Sequence, residues 1–329
     1  MSSPSANASE PRFKYSFAQY ALHRKIGSGG SVFRRHAKRL HFALTERFSD
    51  FFQMPLNPLH FPEFVRETFD IGAVEYVSTF YRGLGEDRSY WTELKKRADG
   101  AGVDSVLIMV DGEGAIGDPD ATARKQTVAN HQKWVDTAAF LGCHAIRVIA
   151  ETDNDLPFDE QHKLVRDGLH QLEDYSSSQG ISLVIENKGG FSQHGGWLAD
   201  LMKQANSPHI GTLPDFGNFK LPDGSKYDGV KGVRELMPYA KGISVKAFGF
   251  DANGNENTLD FEGMMKQVIE SDFRGYLGLE FEGTGMNEIA GTHATRALVD
   301  RLIEKYSNPA ETAACPQKQS ARRLHGDFR

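Results

Sequence analysis

The stretch ISLVIENKGGF, Ile181 to Phe191, places a mostly apolar run directly before Glu186, Asn187 and Lys188, with Gly189 and Gly190 behind them. A continuous rather than alternating run suits a strand buried on both faces, as in a parallel sheet. Packing alone gives no reason to end such a strand on a carboxylate, an amide and an amine and then turn sharply. Similar runs recur along the chain: YSFAQYAL (15–22), GAVEYV (72–77), DSVLIMV (104–110), HAIRVIA (144–150), ISLVIE (181–186), HIGTLPDF (209–216), GISVKAF (242–248) and GYLGLEF (275–281). Helix-like stretches separate them, for example DRSYWTELKKRAD and LDFEGMMKQVIES, in which Met264, Val268 and Ile269 keep helical spacing. Eight strands alternating with eight helices, in a span of roughly 250 residues, predict an α/β chain folded as a (β/α)8 TIM barrel. A doubly wound sheet fits less well, because eight units make one closed ring and no glycine-rich dinucleotide turn follows the first strand.

Two kinds of segment fall outside this rhythm. The barrel is expected over 13–307, with 23–59 as an extended loop after strand 1, far longer than the usual two to six or so residues. That loop carries a basic, partly amphipathic pattern that predicts a helix around Ser31 to Phe48. A lid, a subunit contact or a plain surface insertion would each suit it. Its GSGG lacks the full GxxxxGK[ST] phosphate-loop signature and reads as a flexible turn. Residues 1–12 are expected to form a disordered N-terminal segment and 308–329 a flexible C-terminal tail, both being polar and rich in Pro, Ser and Ala.

Composition narrows the function class. The net charge of -6 argues against nucleic acid or an anionic membrane as partner. Cys143 and Cys315 stand far apart, which fits a reducing compartment without disulfides or a cysteine-built zinc site. No apolar run approaches the roughly 18 residues of a membrane span. The start, MSSPSANASEPR, lacks the apolar core of a secretory signal, so a cytoplasmic location is expected.

Chemistry in such barrels gathers at the C-terminal ends of the strands. There the chain offers Glu75 near the end of strand 2, Asp111 and Glu113 on strand 3, and Arg147 and Glu151 on strand 4. Strand 5 offers Glu186, strand 6 Asp215, strand 7 Ser244 and Lys246, and strand 8 Glu280 and Glu282. Glu186, Asp215 and Glu280 should therefore share one mouth. Three close carboxylates repel, and at least one keeps its proton unless a cation sits between them. A hard divalent ion such as Mg2+ or Mn2+ does this through oxygen ligands. The plainer alternative is that each acid is separately salt-bridged. Asp111 and Glu113 read more readily as loop and cap residues, and His144, at the far end of strand 4, as structural.

At these residues the sequence resembles the xylose-isomerase-like TIM-barrel superfamily, the sugar phosphate isomerase/epimerase group. The matching stretches run from about residue 15 to 305 and include SFAQYALHR, VLIMVDGEG, NHQKWVDTAAFLGCHAIRV, VIENKGGFS, GTLPDFGNF, GISVKAFGFDANGN and GYLGLEFEG. The resemblance implies a divalent metal, Mn2+ foremost and otherwise Mg2+, Co2+ or Zn2+, held by Glu186, Asp215 and Glu280. It also implies that Glu186 and Glu280 shuttle a proton. Three positions depart from the family pattern: Ser244 stands where strand 7 commonly carries a metal-binding histidine, Asn218 stands three residues after the strand-6 aspartate in place of another, and Lys188 follows Glu-Asn where the branch has histidine. His194, in the strand-5 loop, is a candidate substitute ligand.

The expected function is a metal-dependent sugar isomerase or epimerase that abstracts a proton beside a carbonyl and passes through an enediolate. Glu186, Glu280 and Lys246 are the catalytic candidates, and Arg147, Asn187, Lys188, Asn218 and Trp197 the substrate contacts. Near a metal, Lys188 and Lys246 should have depressed pKa values. A keto-sugar lyase or dehydratase on the same site, a Schiff-base aldolase using Lys246, and a non-catalytic sugar-binding subunit are the alternatives. The partner is expected to be a small sugar or keto-sugar, with a homo-oligomer as the assembly.

Overall fold

A computed structural model describes residues 11–26 and 55–307. The helix expected around Ser31 to Phe48 and most of both chain ends lie outside the described residues. Eight parallel strands form the barrel: β1 (Phe13–Ala18), β2 (Ala73–Val77), β3 (Asp104–Met109), β4 (Ala145–Ile149), β5 (Ser182–Glu186), β6 (Ile210–Leu213), β7 (Ile243–Ala247) and β8 (Gly275–Phe281). Their order is β6-β5-β4-β3-β2-β1-β8-β7. The ring closes between β6 and β7 through isolated parallel bridges, Thr212 with Ala240 and Asp215 with Ser244. That seam is thin for a chemical reason. Pro214 follows β6 and has no N–H to give; its carbonyl still accepts from Ser244 N at 2.9 Å.

Each strand feeds a helix that returns the chain to the start of the next: α1 (Phe61–Phe69), α2 (Arg88–Ala101), α3 (Ala121–Leu141), α4 (Phe158–Ser176), α5 (Gly195–Ala205), α6 (Gly229–Leu236), α7 (Phe261–Glu270) and α8 (Glu288–Ser307). Aspartates start several of them. Asp120 accepts from Ala123 N at 2.7 Å and Asp260 from Gly263 N at 2.9 Å, each satisfying an otherwise orphaned donor and contributing about 1 kcal/mol.

The core has two layers. Phe17, Tyr76, Ile108, Ile146, Leu183, Val245 and Leu279 point outward to the helices in the larger cluster. A smaller one, including Ala18, Ala73, Val77, Leu107, Met109, Ala145, Val184 and Leu213, fills the inside. Strand side chains alternate faces, so Glu75, Arg147 and Glu186 share the inner face with Ala73, Ala145 and Val184. The pattern that reads as continuous apolar runs thus delivers charge to the barrel interior at a few fixed positions. Strand 1 is shorter than its run: it stops at Ala18, and Gln19–Leu22 turns into a 3-10 helix.

Candidate active site at the C-terminal mouth of the barrel

Glu186 is the last residue of β5, and the chain then turns on Gly189 and Gly190, both at positive φ, a conformation that a side chain would strain. Across the β6–β7 seam stand Asp215 and Ser244. Next to them, Lys246 on β7 is the ladder partner of Glu280 on β8. The three expected acids therefore share one mouth, and two of them, Asp215 and Glu280, meet at Lys246. Its Nζ lies 2.8 Å from Asp215 Oδ2, 2.9 Å from Glu282 Oε1 and 3.6 Å from Glu280 Oε1, with the residue only 4% exposed.

Glu186 has its own cation. Arg147 places Nε 2.8 Å from Glu186 Oε2, while its Nη1 donates to Asp111 Oδ1 at 2.8 Å and to the Val110 carbonyl at 2.9 Å. Asn218 Nδ2 donates to Glu186 Oε1 at 2.8 Å. Ser244 Oγ donates to Glu280 Oε2 at 2.9 Å. Lys188, at the rim, reaches to 3.5 Å from Asp111 Oδ1.

Five acids, Asp111, Glu186, Asp215, Glu280 and Glu282, thus face three cations, Arg147, Lys188 and Lys246. The imbalance shows in their proton affinities. Burial raises the Asp215 carboxyl to about 7, with the adjoining Glu186 adding to the rise and Lys246 opposing it. Burial lifts Glu280 well above the carboxylate range against the pull of Lys246. Burial would lift Glu186 too, yet Arg147, Lys188 and Lys246 outweigh it and hold that group down. Lys246 itself is raised. Burial pulls it down, but Asp215, Glu280, Glu186 and Glu282 hold its ammonium well above the usual lysine value.

Among the described residues no group of three or more His, Cys, Asp or Glu side chains is placed to hold a metal. The point that Asp215 and Glu280 flank is taken by Lys246 Nζ, and Asn218 turns its amide nitrogen, which cannot ligate, toward Glu186. As these side chains stand, they do not fit the ion.

Residues 65–304 match the xylose isomerase-like TIM barrel family. The chain belongs to this family. Within it, 81 residues are 27% identical to the C-glycoside deglycosidase alpha subunit of Arthrobacter globiformis, a stretch that makes up 23% of this chain and 23% of that protein. The chain therefore matches under a quarter of the length of this curated relative. Among solved structures, the apo 3-keto-D-glucoside 4-epimerase of Escherichia coli superposes with a TM-score of 0.59 at 17% identity, over 74% of this chain and 94% of that one. A sugar phosphate isomerase/epimerase from Parabacteroides distasonis does so with a TM-score of 0.59 at 14% identity, over 91% and 97%. At such identities the likeness is one of fold.

Other candidate residues take different places in this family member. Asn187 is fully buried and works as a strut: its Nδ2 donates to the carbonyls of Asp215 and Asn218, and its Oδ1 accepts from Asp215 N. Arg147 is likewise committed to protein partners. Trp197 is buried in the helical layer, with its ring 4.6 Å from that of His162 on α4, and makes no wall for a sugar. His194 caps α5, where its Nδ1 accepts from Trp197 N, and packs on Tyr227. Glu113 binds Lys133 and Trp134, whereas Asp111 belongs to the mouth, where burial is outweighed by Arg147 and its acidity is strengthened to about 2.

Sequence reading missed Tyr20. The residue is 37% exposed, its ring stacks on His23 at 4.8 Å, and Lys188 Nζ lies 6.0 Å over it. Burial and then Glu282 and Glu280 raise its hydroxyl pKa. Taking YSFAQYAL as one strand hid it; ending the strand at Ala18 would have put an aromatic ring on the rim.

Proposed function

We propose that this chain is an enzyme that moves a proton at the carbon beside the carbonyl of a keto-sugar, as an isomerase or epimerase. The observation that carries this reading is the split pairing in one mouth: Glu186 lies against Arg147, while Asp215 and Glu280 lie against Lys246. Against burial, Arg147 draws Glu186 below the usual carboxylate value, whereas burial pushes Asp215 up to about 7 and Glu280 upward. Neighbouring acids with diverging proton affinities are the signature of an acid and a base.

In this scheme Glu186 takes the proton from carbon, the C–H electron pair becomes the C=C bond of an enediolate, and negative charge develops on the former carbonyl oxygen. The Lys246 ammonium, fixed in a nearly dry site, stabilises that oxyanion. Glu280, on the other side of Lys246, returns a proton. Delivery to the opposite face of the same carbon gives the epimer; delivery to the former carbonyl carbon, with the adjacent hydroxyl passing its proton to the former carbonyl oxygen as its own C=O forms, gives the isomer. Arg147 and Asn218 orient Glu186, and Tyr20 offers a flat apolar face to the sugar's C–H groups. The 3-keto-D-glucoside 4-epimerase and the sugar phosphate isomerase/epimerase that share this fold support this substrate class. The local similarity to a C-glycoside deglycosidase subunit favours one second reading. The same proton abstraction followed by loss of a β-substituent makes the enzyme a lyase.

The test is proton exchange. In D2O, the protein should introduce deuterium beside the carbonyl of a 3-keto-D-glucoside or a free ketohexose, and Glu186→Gln should abolish it. Absence of exchange across 3-keto-glucosides, ketohexoses and ketopentoses would refute the reading. Exchange accompanied by release of the aglycone would select the lyase.

A further inference from the structure

We propose that Lys246 stands in the place of a divalent ion, so that the mouth of this barrel carries its compensating positive charge covalently and needs no metal. The chemistry that the charge serves rests on the function proposed above; the absence of a metal requirement does not.

The first argument is occupancy. Every oxygen of Glu186, Asp215 and Glu280 lies within 3.6 Å of a nitrogen or hydroxyl of the protein, although Glu186 Oε2 and Asp215 Oδ2 meet theirs as ion pairs without hydrogen-bond geometry. Arg147 Nε stands 2.8 Å from Glu186 Oε2, and Asn218 Nδ2 donates to Glu186 Oε1. Gly217 N donates to Asp215 Oδ1 at 2.7 Å and Lys246 Nζ sits beside Oδ2. Ser244 Oγ and Lys246 Nζ take those of Glu280. A divalent ion would need several of these lone pairs at once, within about 2.0–2.2 Å for Mg2+ or Zn2+.

The second argument is that the fold has made room for the lysine. At Gly217 a Cβ would lie 2.6 Å from Lys246 Cδ, so any larger residue there would push the lysine stem out of its channel. Lys246 is also set opposite Glu280 by the β7–β8 register, which aims it at the cluster from a rigid strand. The third argument is the chemistry of the neighbours. Ser244, one pleat below Lys246 on the same face, and Asn218, three residues after Asp215, are hydroxyl and amide groups occupied as donors, where imidazoles would favour a transition ion. A buried ammonium is costly unless paired; Lys246 is 4% exposed and has the carboxyl groups of Asp215, Glu280 and Glu282 around it.

Elemental analysis of the full-length protein, purified without chelator and then equilibrated with Mn2+, Mg2+, Co2+ or Zn2+, tests this directly. We expect substoichiometric metal throughout and no change in Tm on adding EDTA. Lys246→Met removes the ammonium and leaves the acids uncompensated, so this variant should gain Mn2+ binding, with Tm rising by about 5 °C in roughly hundredfold excess over its Kd. Near-stoichiometric metal in the wild type, as purified or after equilibration, or a Tm that falls with EDTA, overturns the proposal. So does a folded Lys246→Met that still ignores Mn2+. If that variant does not fold, the wild-type metal and chelator measurements decide alone. None of these readouts needs substrate, so failure here is distinct from failure to exchange deuterium.

Discussion

Replacing Glu75 with glutamine should leave the barrel's stability unchanged in mild acid and raise it at neutral pH. Glu75 projects from β2 into the barrel interior and is 2% exposed. One carboxyl oxygen accepts from Ser16 Oγ at 2.5 Å, the other has no hydrogen-bond partner, and Gly278 leaves the space it fills, since a Cβ there would lie 2.8 Å from Glu75 Oε1. Burial lifts the carboxyl from an ordinary 4.5 to about 7, helped by the charge of Glu186 and opposed by the Ser16 hydrogen bond and by Arg147. Between those two values the folded protein holds a proton that the unfolded chain has released. Unfolding therefore sheds a proton, and stability falls as pH rises through the window, levelling off above it. At about 1.4 kcal/mol per pH unit the fall is about 3 kcal/mol. Glutamine keeps the acceptor for Ser16 and cannot ionise, so the variant escapes it. Urea or thermal unfolding of both proteins from about pH 4.5 to about pH 8 gives the difference curve, in which the titrations of the other acids cancel to first order. We expect a difference near zero at the acid end growing to about 3 kcal/mol at the neutral end, or roughly 4–5 °C in Tm. A flat difference, or a variant that is weaker at neutral pH, would mean that Glu75 is ionised and paired with Arg147, and the reasoning from burial would fail.

Two further outcomes follow from the mouth. Asn187→Ala removes the three hydrogen bonds that tie the β5 and β6 loops together; it should lower stability by about 3 kcal/mol, seen as a lower urea midpoint at unchanged m. Tyr20→Ala removes a partly exposed ring that touches no reacting group, so with a keto-sugar that is turned over KM should rise severalfold while kcat changes little; an equal loss in kcat would place Tyr20 in the proton chemistry instead.

The barrel was legible because its strands are buried on both faces, which turns SVLIMV and SLVI into unbroken apolar runs that helix periodicity cannot imitate. Strand ends were harder to place. Gln19, Ala21 and Leu22 are as buried as the strand before them, so only geometry separates the two, while Pro214 does announce the end of β6 through its missing N–H. The acids Glu186, Asp215 and Glu280 could be found by position alone, since any residue closing a barrel strand reaches the mouth. Their partners could not. Whether Lys246 turns inward depends on the bare Cα of Gly217, far away in sequence, and whether Arg147 or Asn187 meets substrate or protein depends on how deep each sits in the lumen. One residue inward from the rim converts a substrate contact into a strut, and that difference is smaller than the uncertainty of a strand boundary read from sequence. The chemistry inferred from three convergent carboxylates likewise turned on their cation. A metal and an ammonium answer the same repulsion, and the sequence contained both answers, the carboxylate ligands and the lysine, without the distances that choose between them. At 2.8 Å from Asp215 and 2.9 Å from Glu282, Lys246 is already bonded into the position that an incoming ion would have to win.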